Sequence, residues 1–101
     1  MDEKAREQMD EFSKRLKALR LERDLSLDMV VYDLEQKFNI SITKSHLSRW
    51  ENNKNIPSLR YGACLANYYG VSLDYLIGNT DVRTPGYLMN MKKEGKNGKS
   101  D

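Results

Sequence analysis

The sequence is poor in the residues that build catalytic and metal sites. It has one cysteine, Cys64, so no disulfide can form within the chain. Its single histidine, His46, belongs to no metal-spaced cluster, and the chain has neither a glycine-rich phosphate loop nor a nucleophile elbow. We therefore expect a protein that is not an enzyme and that needs no cofactor and no metal.

Long apolar runs are also missing. No stretch is long enough to span a bilayer, and the amino terminus has no secretory signal pattern. With a lone cysteine, these features fit a reducing cytoplasm and no membrane partner. Only two prolines interrupt the 101 residues, which leaves long stretches free to form helices.

The charge is unevenly distributed. The net charge of +2 is too small to indicate nucleic acid by itself. Between positions 44 and 60, however, four basic residues stand against one acid, whereas positions 24–35 carry only acids. The positive charge is thus concentrated in one stretch, which makes that stretch the candidate site for an anionic partner.

Five stretches have the apolar spacing of amphipathic helices, at residues 11–23, 27–38, 44–52, 59–69 and 73–77. The last four are each preceded by a good N-cap residue, and Asn53 and Gly70 suit left-handed C′ positions. Between the second and third stretches, Ile40 and Ile42 alternate with polar residues, and we expect both to contact the core. The pattern predicts an all-α, compact five-helix domain without a sheet. The N-caps are Ser26, Thr43, Ser58 and Ser72.

The composition divides the chain into three parts. Residues 1–10 form a charged N-terminal extension, either a frayed start of the first helix or a flexible arm. Residues 11–78 form the domain, and residues 79–101 form a tail that we expect to be mostly disordered after about residue 91. Within the tail, the apolar island Tyr87–Met91 is either a loose surface segment or a dimer contact.

The third predicted helix has two chemically different faces. At 3.6 residues per turn, Leu47, Trp50 and Glu51 fall on one side, with Thr43 at its start. The other side is polar and contains no acid, so it has the chemistry of a helix that reads bases in the DNA major groove. A solvated helix face would have the same composition, so context must decide. This polar side consists of Ser45, Ser48, Arg49 and Asn52.

Taken together and in this order, several segments make the chain similar to the lambda-repressor-like, Cro/C1-type helix-turn-helix family. The resemblance implies the fold and a function in DNA binding. The segments span Arg15 to Gly78 and are RLKALR (15–20), LSL (25–27), VV (30–31), LSRWEN (47–52), IPS (56–58), LA (65–66) and YGVSLDYLIG (69–78).

The resemblance also implies roles for individual residues. The base-reading residues would be Lys44, Ser45 and Arg49, with His46 at the margin. A structural salt bridge would join Arg20 of the first helix to Glu51 at the end of the third. The resemblance, together with the basic and hydroxyl side chains around the third helix, predicts a set of DNA-phosphate contacts. This set is Thr43, Ser48, Asn52, Lys54 and Arg60.

Three features depart from the family pattern. Leu27 stands where a phosphate-binding Gln is common, and Asn53 stands where Gly is common. The connection between the second and third helices is longer than the usual tight turn. The placement of these two helices on DNA is therefore the least predictable part of the domain.

These observations lead to two functional hypotheses. The first is a sequence-specific transcriptional regulator, a repressor of phage or mobile-element type in the bacterial cytoplasm at the nucleoid. It would bind palindromic double-stranded DNA as a homodimer. The second is a protein-interaction module on the same fold, such as an antitoxin or a polymerase-contacting regulator. Its protein co-regulator would contact the second helix at Asp28, Asp33 and Glu35.

Overall fold

The computed structural model describes residues 2–85 and is all-helical over that range. The segment 86–101, with the apolar island Tyr87–Met91 and the predicted disordered tail, lies outside the described residues. The predicted five-helix fold is confirmed, and so are the bounds of the second and fourth helices. The helices are α1 (Glu3–Glu22), α2 (Leu27–Phe38), α3 (Lys44–Glu51), α4 (Leu59–Tyr69) and α5 (Leu73–Leu76).

Helix α1 begins eight residues earlier than its apolar spacing predicts, at Glu3 instead of Glu11. Asp2 caps it, because its Oδ1 accepts a hydrogen bond from the Ala5 amide at 2.8 Å. The Gln8 side chain donates to Asn79 Oδ1 at 3.0 Å, which links this first part of α1 to the residues after α5. Of the two alternatives for residues 1–10, the start of the first helix is the one the structure has, and the flexible N-terminal arm is wrong: residues 3–10 form the first turns of a capped helix. The charge density of residues 2–10 hid both features.

The core lies between the packed faces of the five helices. Helix α3 packs on α1 and α2, α4 packs on α2, and α5 packs on α1 and α4. Burying one aliphatic side chain such as Leu or Val in this core stabilises the fold by roughly 1.5–3 kcal/mol. The largest fully buried side chains are Tyr69, Leu16, Leu19, Leu34, Leu47, Leu65, Leu76 and Val30.

The connection from α2 to α3 is extended and partly buried. Asn39 ends α2 in the left-handed conformation, with φ at 54°. Ile40 and Ile42 are 3% and 8% exposed, as their alternation predicts, while Ser41 between them faces solvent. The longer connection is thus anchored by two core contacts, which holds the start of α3 in place.

Arg15 joins α1 to the segment after α5. Its spacing places it among the surface charges of α1, but its side chain is only 17% exposed. The guanidinium donates to the carbonyls of Tyr75 and Thr80 at 2.8 and 2.7 Å and to Asp81 at 2.8 Å. It also lies over the Tyr75 ring. Helical spacing alone does not single out Arg15 for this role.

Candidate nucleic-acid interface

The start of α3 is closed by a reciprocal cap. Thr43 Oγ1 accepts a hydrogen bond from the His46 amide at 3.0 Å, and His46 Nδ1 accepts one from the Thr43 amide at 3.2 Å. The His46 ring also stacks on Trp50, with ring centroids 6.3 Å apart and planes inclined by 13°. Two orphan amides of the first turn are thereby satisfied. His46 is exposed, and its ring is oriented by these two contacts.

The inner face of α3 is anchored by apolar packing. Leu47 is fully buried and Trp50 is 6% exposed. The Trp50 ring lies against Tyr61 of α4, with centroids 6.3 Å apart. Aromatic side chains of this size contribute a large share of the apolar area at a packing interface. This packing holds the inner face of α3 against the core.

A buried ion pair completes the inner face. Arg20 Nε and Nη2 donate to the two carboxylate oxygens of Glu51 at 2.8 and 2.9 Å, and Nη1 donates to the Leu25 carbonyl at 2.8 Å. The Glu51 side chain is 2% exposed and that of Arg20 is 12% exposed. The hydrogen bonds to Glu51 raise the pKa of Arg20, against the opposing effect of burial. The only acid of α3 is thus turned away from the outer face.

The outer face of α3 is open to solvent. Lys44, Ser45 and Arg49 are exposed, and Ser48 is half-buried. At the C-terminal end, Asn52 Nδ2 donates to the Ser48 carbonyl at 2.8 Å, which holds the Asn52 amide along the helix. This face presents donors and hydroxyl groups without an acid, a combination that can donate to guanine O6 and N7 and to phosphate oxygens.

Comparison with protein families matches residues 16–76 to a family described as helix-turn-helix, of the Cro/C1 type. The chain belongs to this family. Its domain is therefore a DNA-binding domain of transcription regulators. Comparisons with curated proteins and with solved structures find no match. The matched region begins within α1, so the first turns of that helix precede the part shared with the family.

In this helix-turn-helix domain, α3 occupies the place of the recognition helix. Its first basic residue, Lys44, lies beside the first turn of α2, with Lys44 Nζ 3.5 Å from Asp28 Oδ2. The two side chains are 61% and 75% exposed. Exposed pairs of this kind contribute little to stability, so the contact bears on how Lys44 is held and not on the fold.

The turn after the recognition helix is tied to α1. Asn53 adopts the left-handed conformation, with φ at 58°, as its place after the helix predicts. Its amide nitrogen donates to Asp10, and its amide oxygen accepts from the buried Ser13 hydroxyl at 3.4 Å. Sequence reasoning missed this link, because no local pattern pairs residues that are 40 positions apart. The link fixes the turn from which Lys54 projects into solvent.

The remaining predicted phosphate contact, Arg60, lies in the first turn of α4 and is exposed. Ser58 caps this helix by accepting from the Tyr61 amide at 3.3 Å. Lys54 thus lies in the turn after the recognition helix, and Arg60 lies in the first turn of the next helix, α4. The exposed basic residues between positions 44 and 60 are Lys44, Arg49, Lys54 and Arg60.

The acidic residues of α2 do not form one open surface. Asp33 accepts a hydrogen bond from the Tyr68 hydroxyl of α4 and is half-buried. Burial, followed by this hydrogen bond, raises the pKa of Tyr68. Asp28 faces Lys44, which leaves Glu35 exposed on the outer side of α2.

Among residues 2–85, no group of three or more His, Cys, Asp or Glu side chains could hold a metal ion. Within the same range, no helix is both long and apolar enough to cross a bilayer.

Proposed function

We propose that this protein is a sequence-specific repressor of phage or mobile-element type that places α3 in the DNA major groove. The observation that carries the proposal is the outer face of α3, which is exposed and polar while its one acid is buried against Arg20. The base-reading residues are Lys44, Ser45 and Arg49, with His46 at the margin.

Affinity comes mainly from the DNA backbone. Each phosphate contact releases a counterion, so the binding constant falls as salt is added. The exposed side chains of Lys54 and Arg60 follow the recognition helix closely and supply the charge. The full proposed set of phosphate contacts is Thr43, Ser48, Asn52, Lys54 and Arg60.

Selection from random duplex DNA tests binding and specificity together. We expect enrichment of a two-fold symmetric site with half-sites about 34 Å apart, one helical turn. Binding to the selected duplex should weaken steeply between 50 and 200 mM salt, conditions over which several phosphate contacts lose a large part of their affinity. A pool that shows no enrichment and no salt-dependent binding would overturn the proposal.

A homodimer is the expected binding form, because one short helix reads too few bases. The structure has an apolar groove of about 460 Å³ between the first part of α1, the turn after α3, α4 and α5. Leu59 at its rim is 76% exposed and Ile56 is 51% exposed, which is unusual for a surface with no apolar partner. The groove is lined mainly by Met9, Phe12, Ile56, Leu59, Leu73 and Ile77.

We place the second copy on this groove because of its position relative to α3. The groove includes Ile56 and Pro57, which directly follow the recognition helix. A two-fold axis through it would bring the ends of two recognition helices to the same side of the dimer, as a palindromic operator requires. The apolar side chains that line the groove would then be buried against the second copy, and the fold of the domain would not need to change.

Replacing Leu59 with Glu tests the dimer. Since Leu59 is the first residue of α4 and is exposed, Leu59→Glu should leave folding intact and shift the protein toward monomer in analytical ultracentrifugation. Affinity for a full operator should fall on the order of 10²-fold, the lower range of the avidity that linking two binding modules provides, while half-site affinity should persist.

The matched control is Val82→Glu, which adds the same charge at a side chain that is 51% exposed and does not line the groove. If both variants have the sedimentation behaviour of the unmodified chain, the groove is not the dimer surface.

The alternative function, a protein-interaction module such as an antitoxin or a polymerase-contacting regulator, depends on an acidic surface on α2. Asp33 contacts Tyr68 and Asp28 contacts Lys44, so this surface is smaller than the sequence suggests. An antitoxin or a polymerase-contacting regulator could combine both roles, whereas a module that binds only a protein partner would show no salt-dependent DNA binding, which the same experiment detects.

A further inference from the structure

Two helices of the domain begin with the same three residues. Ser26-Leu27-Asp28 starts α2 and Ser72-Leu73-Asp74 starts α5. Both serines cap their helix, since Ser26 Oγ accepts from the Met29 amide at 3.1 Å and Ser72 Oγ accepts from the Tyr75 amide at 2.9 Å. Both aspartates are exposed, so each complements its helix dipole in the same way. They differ in what lies opposite.

Asp28 faces the recognition helix, whereas Asp74 does not. Helix α2 packs on α3, and Asp28 Oδ2 is 3.5 Å from Lys44 Nζ. Helix α5 packs on α1 and α4, and the Asp74 carboxylate contacts the Asn79 side chain at 3.4 Å. The Asp28 carboxylate therefore lies beside the first residue of α3, whereas the Asp74 carboxylate lies beside the segment that follows α5.

A helix N-terminus at this surface would ordinarily attract a phosphate. Here its first residue, Leu27, is half-buried against the core, and the next residue brings a carboxylate. A fixed negative charge beside the DNA repels phosphate oxygens on any sequence. Asp28 therefore lowers affinity for DNA in general, and its contact with Lys44 determines whether the loss is equal for all sequences.

We propose that Asp28 is a specificity-determining residue that holds Lys44 for base reading and discourages Lys44 from binding phosphate. The inference rests on the proposed function. An ammonium has three donors, so Lys44 can donate to Asp28 and to a guanine edge at once. When Lys44 contacts a phosphate instead, the Asp28 carboxylate lies close to that phosphate and repels it, whereas a guanine edge carries no net charge. The cost therefore falls more heavily on non-specific DNA than on the operator.

The test compares Asp28→Asn with Asp74→Asn in the full chain. The two variants make the same change in charge at the same position of a capped helix. Dissociation constants are measured for the selected operator and for a scrambled duplex at several salt concentrations. Asp28→Asn should tighten binding to the scrambled duplex roughly fivefold, as expected for one close charge in a high-dielectric setting. The operator constant should change less.

The salt dependence gives a second readout. With Lys44 released to a phosphate, the slope of log K against log salt on scrambled DNA should steepen by about 0.9 for Asp28→Asn and not for Asp74→Asn. In a Lys44→Ala background, Asp28→Asn should no longer change the ratio of the two affinities, because the pair is already removed.

Three outcomes would overturn the inference. Equal effects of the two substitutions would mean that Asp28 affects DNA binding only through the net charge of the protein. An equal gain on operator and scrambled DNA would remove its role in specificity, and an unchanged effect in the Lys44→Ala background would separate it from Lys44. If the unmodified chain shows no salt-dependent DNA binding at all, the proposed function fails first and this inference fails with it.

Discussion

The inner and outer faces of α3 differ in what their side chains contact. Leu47, Trp50 and Glu51 on the inner face are each less than a tenth exposed, whereas Ser45 and Arg49 on the outer face are open to solvent. Inner-face substitutions should therefore change the stability of the domain, and outer-face substitutions should change binding while the fold stays intact. The comparison teaches that the position and the specificity of the helix can be altered separately.

The largest effect should come from breaking the inner face at Glu51. Glu51→Gln leaves Arg20 without its charged partner, and removing one member of a buried pair costs about 3–5 kcal/mol. We expect the lower end of this range, since Arg20 keeps its hydrogen bond to the Leu25 carbonyl and is 12% exposed. Urea unfolding followed by circular dichroism measures the loss.

The control for Glu51 is Glu35→Gln, which removes the same charge from an exposed position on α2. Its unfolding midpoint should stay close to that of the unmodified chain. Equal midpoints for both variants would mean that the Arg20–Glu51 pair does not hold α3 to α1.

An intermediate effect is expected on the outer face at Arg49. Arg49→Ala should weaken binding to the selected operator by about 1–3 kcal/mol and relax the preference at one base pair, because one side chain reads one base edge. The unfolding midpoint should not move, since the side chain is exposed. Titration against operators with single base changes measures both quantities.

Arg60→Ala is the matched variant for Arg49→Ala, since it also removes an arginine side chain, but from a proposed phosphate contact instead of a proposed base contact. It should weaken binding to all sequences alike and reduce the salt slope by about 1. If Arg49→Ala behaves in this uniform way instead, Arg49 contacts the backbone and is not a base reader.

The smallest effect is expected beneath the inner face at Tyr69. Its hydroxyl is buried and has no hydrogen-bond partner among the described residues, and burial, followed by the charge of Glu51, raises its pKa. Tyr69→Phe removes this unsatisfied group and keeps the ring, so stability should change by less than about 1 kcal/mol or increase slightly. DNA affinity should be unchanged.

Thermal unfolding of Tyr69→Phe beside Tyr68→Phe gives the contrast, because the Tyr68 hydroxyl does have a partner, Asp33. Tyr68→Phe should be the more destabilising of the two. The reverse order would indicate that the Tyr69 hydroxyl makes a contact that stabilises the domain.

Much of α3 could be predicted because its organisation is local. The burial of Leu47 and Trp50 follows from helical periodicity, and the Thr43 cap follows from residue type. The left-handed turn at Asn53 follows from the same local logic, since Asn tolerates that conformation. Each of these features depends on residues within four positions of one another.

Other features depend on contacts between distant parts of the chain. The charge-rich sequence of residues 2–10 left a helix and a flexible arm both open, and the structure shows the helix, with Asp2 as its cap and Gln8 in contact with Asn79. The role of Arg15 was missed because its partners lie 60 to 66 positions away. Helical periodicity gives the direction of a side chain on its own helix but does not show which element lies opposite.

By itself the sequence determined the five helices, the N-caps of the last four and the division of α3 into an apolar and a polar face, since periodicity and capping act over one or two helical turns. Only the tertiary structure decided that Asp10 would contact the end of α3 and that Asp28 would contact its start. These pairs form where packed helices bring exposed side chains together, and they depend on helix positions that no local pattern specifies. The polar face of α3 is therefore a property of the sequence, and its electrostatic surroundings are a property of the fold.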